Sequence, residues 1–459
     1  MGLSDTASGL MRGLGLADPV IRIGVTGLSR AGKTVFITSL VANLLDRGRM
    51  PALRAATDGT IRGAWLQPQP DDTVPRFEFE RHLAALTGPD PHWPEGTRHI
   101  SELRLSLRIQ PRGLLAGLRG VQTVHLDIVD YPGEWLLDLR LMDRSFAEWS
   151  AEVLARMEGR PGAEAFMAAL AAADHDGRFD EPQAQRLAAA YTAHLTQSRA
   201  AGFSDCTPGR FLLPGEMEGS PALTFAPLPP MEKPSRLYRE FQRRFDSYKS
   251  RVVRPFFRNH FARIDRQVVL VDVLGAIHSG PPVVEDMRRA LADILTAFRP
   301  GRTGWLGQLL GTRRVERILF AATKADHLNH VQHPRLTGIL TAMLREARDR
   351  ADFQGARTEA LGIAALRTTT EETIRRDGEE LPAVRGTLMD GREAAFYPGE
   401  LPDNPALLLA PAAEGATRWL DGDYAAMNFA PAPNTLRPGD GPPHIRMDRA
   451  AEFLIGDRI

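Results

Sequence analysis

The stretch Ile21-Arg22-Ile23-Gly24-Val25-Thr26-Gly27-Leu28-Ser29-Arg30-Ala31-Gly32-Lys33-Thr34-Val35-Phe36-Ile37 decides the fold. Ile21, Ile23 and Val25 alternate and stop at Gly27, the pattern of a short buried strand. Gly27 to Thr34 fits G-x-x-x-x-G-K-[ST] without a mismatch. Phe36, Ile37, Leu40, Val41, Leu44 and Leu45 then recur at helical spacing. Strand, loop and helix in that order separate a phosphate-binding loop from a glycine-rich turn with an incidental lysine. The glycines let successive backbone N–H groups close around a phosphate, and the helix adds its positive dipole end. On this reading Ser29, Arg30, Ala31, Gly32, Lys33, Thr34 and Val35 bind the nucleotide. Lys33 reaches the β- and γ-phosphates, and the Thr34 hydroxyl is a ligand for Mg2+.

Downstream, Leu103 to Ile109 alternates strictly, with one polar face, and Val124 to Val129 forms a second strand that ends in Asp130-Tyr131-Pro132-Gly133. An acid at the end of an apolar strand can hold Mg2+ opposite the phosphate loop, usually through a water. Thr34 and Asp130 are therefore the candidate metal ligands. The Gly133 N–H is expected to approach the γ-phosphate closely, which makes Lys33, Asp130, Gly133 and the following Glu134 the candidate catalytic residues. A third strand, Ile318 to Ala322, ends in Thr323-Lys324-Ala325-Asp326, which fits [NT]-K-x-D. The Asp326 carboxylate would accept from guanine N1–H and the 2-amino group, and the Lys324 stem would lie along the base. Adenine offers neither donor, and such sites discriminate by roughly 10⁴–10⁵. After the strand Ala360–Leu366, Ala365 and Leu366 stand where backbone contacts to the base are expected.

Between these motifs the chain changes character. Residues 49–100 hold Pro51, Pro68, Pro70, Pro75, Pro89, Pro91 and Pro94, which read as an extended loop. Such a loop after a phosphate-binding helix suits a nucleotide-sensing switch, and Thr57, Thr60 and Thr73 stand open as further Mg2+ ligands. Ala-rich helical segments follow near 143–158, 162–173, 183–201 and 235–263, an insertion into a sheet domain. The last carries Phe241, Phe245, Tyr248 and Val252 on one stripe among arginines. That stripe is expected to pack on the core; contact with acidic lipid or a partner is the alternative. Arg266 to Leu274 restores a buried parallel-type strand. Helices near 283–298 and 334–351 and a β/loop appendage over 376–444 follow, and a short helix over 450–455 stops at Gly456.

Composition narrows the class. The chain has 459 residues with Lys plus Arg equal to Asp plus Glu, 57 each, so no net charge argues for a nucleic-acid partner. Cys206 is its only cysteine, which excludes intrachain disulfides and thiolate zinc clusters and suits a reducing compartment. No run of about 18 apolar residues predicts a transmembrane helix. Residues 1–18 lack a secretory signal's basic start and apolar core. Met1-Gly2-Leu3-Ser4-Asp5-Thr6 fits a myristoylation pattern, against which a frayed tail is the simpler expectation.

The runs V-T-G-L-S-R-A-G-K-T-V-F-I-T-S-L, I-V-D-Y-P-G-E-W-L-L-D-L at 128–139, P-G-R-F-L-L-P-G at 208–215, R-Q-V-V-L-V-D at 266–272, L-F-A-A-T-K-A-D-H at 319–327 and the terminal A-E-F-L-I-G-D resemble the YcjX-like bacterial P-loop proteins. The resemblance covers nearly the whole chain. It implies a cytoplasmic, stress-associated GTP-binding protein, with peripheral contact to the inner membrane as an open addition. The expected fold is α/β, a Ras-like P-loop NTPase with a mainly parallel sheet. Its expected parts are a tail (1–19), a split core (20–133 and 264–375), a helical insertion (134–263) that would meet a protein partner, and an appendage with a final helix (376–459). Ras-like enzymes usually place Gln after D-x-x-G to orient the attacking water. Glu134 in that position predicts slow intrinsic hydrolysis of GTP to GDP. Arg30 is a candidate for stabilising transition-state charge, with surface packing as its alternative.

Overall fold

The computed structural model describes residues 18–28, 31–96, 99–110, 120–174, 178–297, 315–353, 356–376, 378–419, 424, 427–433 and 436–459. Seven strands form the main sheet: β1 (Val20–Gly27), β2 (Ile61–Gln67), β3 (Ser101–Ile109), β4 (Gln122–Asp130), β5 (Arg266–Val271), β6 (Arg317–Ala322) and β7 (Arg357–Gly362). Their order is β2-β3-β4-β1-β5-β6-β7. From β4 to β7 all neighbours are parallel, while β3 and β2 add antiparallel at one edge. This mixed, mostly parallel sheet, with a phosphate-loop sequence after β1, is a P-loop NTPase fold.

The central strands are apolar on both faces because helices cover both. Val268, Leu270, Leu319 and Ala321 join one core with helix α1 (Lys33–Leu45) and the C-terminal helix. Their alternating neighbours Val269, Val271, Ile318, Phe320 and Ala322 join the other core. That second core continues without a break into residues 134–263, through Trp149, Tyr191 and Phe245.

The stretch 49–100 departs from the extended loop expected of it. It contains β2 and the helix α2 (Phe79–Thr87), with the prolines confined to the connections. β2 pairs with β3 over Ile61–Gln67, and on the polar face of β3 Arg104 binds Asp127 while Arg108 is exposed.

The helical region contains α3 (Phe146–Arg156), α4 (Ala163–Ala171), α5 (Glu181–Ala200), α6 (Arg236–Tyr248) and α7 (Arg254–Asn259). Ser145 and Glu148 close a capping box on α3, and Asp180 caps α5. On α6, Phe241, Phe245 and Tyr248 are fully buried, each contributing roughly 1.5–3 kcal/mol by burial. Trp149 stacks on Phe245 with centroids 5.1 Å apart. The aromatic stripe therefore faces the core, and Arg244 is buried with it, paired to Glu181 and Glu240.

After β5 come α8 (Val273–Ser279), α9 (Pro281–Ala297) and α10 (His333–Phe353). The C-terminal part builds a separate antiparallel sheet, β8 (Thr369–Arg376), β9 (Glu379–Thr387) and β10 (Glu393–Phe396), around Val384, Phe396 and Phe429. Helix α11 (Ala406–Ala413) and the final α12 (Met447–Ile455) follow. Arg266, only 1% exposed, pins α12 to the sheet by donating to the Leu454 carbonyl and pairing with Asp457. No helix among the described residues is long and apolar enough to cross a membrane. The N-terminal pattern Met1–Thr6 lies outside the described residues.

Candidate functional site

The parallel register brings the carboxyl ends of β4, β1, β5, β6 and β7 to one sheet edge. Crevices beyond such ends are where open α/β sheets bind ligands. Gly27, Asp130, Asp272, Thr323 and Ile363 each stand at or just past one of these ends.

On the phosphate side, β1 runs into α1, which begins at Lys33. Gly32 has φ 76°, a left-handed conformation that a side chain disfavours. Ala31 is buried, Lys33 and Val35 are half-buried, and Thr34 is buried in the first helical turn. Ser29 and Arg30 lie outside the described residues. Asp130 pairs in register with Val25 on the neighbouring strand and is fully buried. A hydroxyl from Thr34 and a carboxylate from Asp130 are hard oxygen donors of the kind Mg2+ prefers, with phosphate and water completing its shell. Among the described residues no cluster of three or more His, Cys, Asp or Glu side chains offers another metal centre.

Gly133 folds back onto the phosphate loop. A Cβ there would lie 2.1 Å from the Gly27 carbonyl oxygen and 3.3 Å from Thr26 Oγ1. This close approach is a requirement for glycine separate from any contact with phosphate. Glu134 follows at 5% exposure, and its carboxylate pairs with Arg199 near the end of α5, 2.9 Å away. The next residue, Trp135, lies under the Arg210 guanidinium, 3.3 Å from the ring centroid. Gly209 packs directly on the Glu134 backbone and donates its N–H to Asp138 Oδ1 at 2.8 Å. Tyr248 donates to Asp138 Oδ2 at 2.5 Å. Burial pushes the Asp138 carboxyl up to about 7, against the lowering effect of these two hydrogen bonds.

Topology separates the three threonines. Thr57 and Thr60 precede Ile61, which pairs with Ile109, itself paired with Gln122 at the start of β4. Both therefore sit at the edge opposite Asp130. Thr73 is on the phosphate edge, because Glu102, next to Ser101 that pairs with Asp130, bonds to Pro75 and Phe77. The Thr73 hydroxyl donates to Asp71 at 2.5 Å.

On the base side, Lys324 adopts φ 62° and its ammonium donates to Asp272 Oδ2 at 2.5 Å. Asp272 also caps α8 through Gly275 N–H at 2.9 Å, which fixes its carboxylate. Thr323 donates to the Val271 carbonyl at 3.3 Å. Asp326 Oδ2 accepts from both the N–H and the hydroxyl of Thr368, at 2.9 and 2.8 Å. Asp326 Oδ1 has no hydrogen-bond partner among the described residues. In the loop after β7, Ala364 and Arg367 spend their N–H groups on Ile445 and Pro443. The N–H groups of Ala365 and Leu366 make no such bond among the described residues.

Four residues of this site escaped the reading of the sequence: Arg199, Asp272, Thr368 and Asp138. Only Asp272 carried a local signal, as an acid ending an apolar strand. The others are held to the site by contacts spanning 42 to 110 residues of chain.

The family model described as "YcjX-like family, DUF463" matches residues 21–459. The protein named "Ras-like GTPase YcjX" in Escherichia coli (strain K12) is 38% identical over 460 residues, covering 96% of this chain and 96% of its own length. Its namesake in Shewanella oneidensis is 36% identical over 471 residues, covering 96% and 95%.

Proposed function

The chain belongs to the YcjX-like family, and from that premise we propose that it binds guanine nucleotide with Mg2+, hydrolyses GTP slowly and acts as a nucleotide-dependent switch. The observation that carries this reading is the meeting of three motifs on one sheet edge, at the ends of β1, β4 and β6. Lys33 and the N-terminus of α1 would hold the phosphates. Thr34 and Asp130 would hold Mg2+, which supplies charge neutralisation on the phosphate oxygens. Asp326 Oδ1 is open for guanine, while Thr368 orients the carboxylate through Oδ2. Slow turnover follows from the pairing of Glu134 with Arg199. A carboxylate held by a guanidinium is a poor base for water, and hydrolysis would wait on the separation of this pair. Because Arg199 comes from α5, nucleotide state would be felt in the helical region, the surface proposed for a protein partner.

The test is the affinity for GTP, GDP and ATP, with and without Mg2+. Tight GTP and GDP binding that Asp326→Ala weakens at least tenfold supports the reading. Equal ATP binding, unaffected by that change, rejects it. A second reading, a nucleotide-stabilised scaffold with negligible turnover, draws support from the buried ion pairs that tie the helical region to α9. Single-turnover hydrolysis unchanged in Glu134→Ala would favour it.

A further inference from the structure

A cavity of about 1020 Å³ lies away from the phosphate loop, between α10, α11 and the start of α12. Its lining includes Arg288, Arg345, Arg446, Arg449 and His333, and no Asp or Glu among the described residues. Several buried or half-buried arginines elsewhere in this chain are matched to carboxylates, as Arg140, Arg160, Arg244 and Arg266 are. Arg288 follows that rule by pairing with Glu285 at 2.7 Å. The other three do not. Arg345 and Arg449 are exposed and make no ion pair among the described residues. Arg446, half-buried, donates among the described residues only to neutral acceptors, the Gly362 carbonyl at 2.8 Å and His333 Nδ1 at 3.2 Å. It does so from φ 57°, a conformation that only glycine adopts freely. Burial and the neighbouring Arg449 disfavour its charge, and the Asp448 carboxylate offsets this only in part. Three guanidiniums line one cavity with no carboxylate in an ion pair with them among the described residues, which is half of an ion pair.

We propose that this cavity is a second ligand site, and that it takes a soluble phosphorylated molecule of about nucleotide size. Its phosphates would lie on Arg345, Arg446 and Arg449, whose planar forks suit phosphate oxygens. Its remaining part would lie on the apolar wall formed by Leu409, Ala410 and Ala413 of α11. The volume is at the upper end of ordinary small-molecule pockets.

The site is wired to the base-reading loop. His333 Nε2 faces the Ala325 carbonyl within T-K-A-D at 2.7 Å, so this nitrogen carries the proton and Nδ1 accepts from Arg446. Arg446 also holds Gly362, directly before the loop that ends in Thr368. An anion that draws Arg446 into the cavity would loosen both holds on the guanine side. This coupling rests on the guanine reading above; the anion site does not.

The experiment titrates inorganic pyrophosphate, without Mg2+, into the full chain carrying Lys33→Ala, so that the phosphate loop does not compete. One site is expected, weakened at least tenfold by adding Arg345→Ala and Arg449→Ala. Both side chains are exposed, and Arg345→Glu with Arg449→Glu provides a second variant with a larger expected loss. Unchanged affinity in these variants, or no binding once Lys33 is removed, overturns the proposal. Binding to phosphatidylglycerol vesicles that depends on these arginines, without pyrophosphate binding, also overturns it and assigns the surface to lipid headgroups. In the otherwise unaltered chain, pyrophosphate should shift GDP affinity beyond simple competition at the phosphate loop, and Arg446→Ala should leave only the competition. Pyrophosphate binding with no GDP binding would refute the guanine reading and leave the anion site standing.

Discussion

Two sets of arginines in this chain meet opposite fates. Where the helical region joins the sheet domain, Arg140 binds Asp205 and Asp293 at 2.7 Å each, and Arg156 binds Asp205 at 2.6 Å. Arg160 pairs with Asp286, which also accepts from Asp205 N–H at 2.9 Å. Burial alone would raise the Asp205 carboxyl, but the three arginines outweigh it and hold it below its usual range. Around the α10–α11 cavity, Arg345, Arg446 and Arg449 form no ion pair among the described residues, and only Asp448 offsets part of the cost of charging Arg446. The same side chain is structural where its charge is matched and buried, and addresses a ligand where it is neither.

The sharpest way to break this comparison is to remove a carboxylate from the matched set. Asp205→Ala strips two arginines of a partner at once, leaving Arg140 with Asp293 alone and Arg156 with Glu152 alone. A loss near the lower end of the range for broken buried pairs, about 3 kcal/mol, is expected in urea unfolding. A loss below about 1 kcal/mol would show that the joint does not depend on matched charge.

Asp138 tests the same joint with the sign of a lone acid. Its side chain accepts from Tyr248 and Gly209, with no cation in hydrogen-bonding contact among the described residues. In the fold it keeps its proton to about pH 7, while in the unfolded chain it loses it near 3.8. Between those values the native state holds a proton that the unfolded state has released, so stability falls as pH rises and levels off above about 7. From pH 5 to pH 8 the wild type should lose about 3 kcal/mol relative to Asp138→Asn. Parallel stability curves for the two chains would remove Asp138 as a buried acid.

The difference between matched and unmatched charge also marks what the sequence could reveal. The phosphate loop, D-Y-P-G and T-K-A-D each lie within a few residues, at the end of an apolar strand whose pattern is local. The two-faced burial of β5, with Val268 and Leu270 in one core and Val269 and Val271 in the other, is legible as an unbroken apolar run. Residues 49–100 misled because proline density hides a seven-residue strand that draws its stability from pairing with β3. No periodicity links Glu134 to Arg199 or Asp326 to Thr368, since those pairs exist only once the sheet has set its order. Arg345, Arg446 and Arg449 read as ordinary surface charge until α10, α11 and α12 are assembled around one cavity.

Asp326 stands between the two arginine sets, a carboxylate half satisfied by its own chain. Thr368→Val keeps the N–H donor to Oδ2 and deletes the hydroxyl. Losing one hydrogen bond to a charged acceptor should weaken GDP binding about tenfold and leave the fold intact. Tighter GDP binding in this variant would mean that Thr368 competes with the base rather than orienting its receptor.

The smallest expected effect is the most discriminating. Arg345→Ala and Arg449→Ala remove exposed charges that meet no acid, so together they should change unfolding free energy by no more than about 0.5 kcal/mol. The sign should be slightly favourable without ligand, because Arg449 raises the cost of charging the half-buried Arg446. The same pair of changes is expected to remove at least tenfold of pyrophosphate affinity, so stability and binding separate cleanly. Were the double variant instead to lose several kcal/mol with no ligand present, these arginines would be structural after all. Matched partners would then not be what distinguishes the two sets.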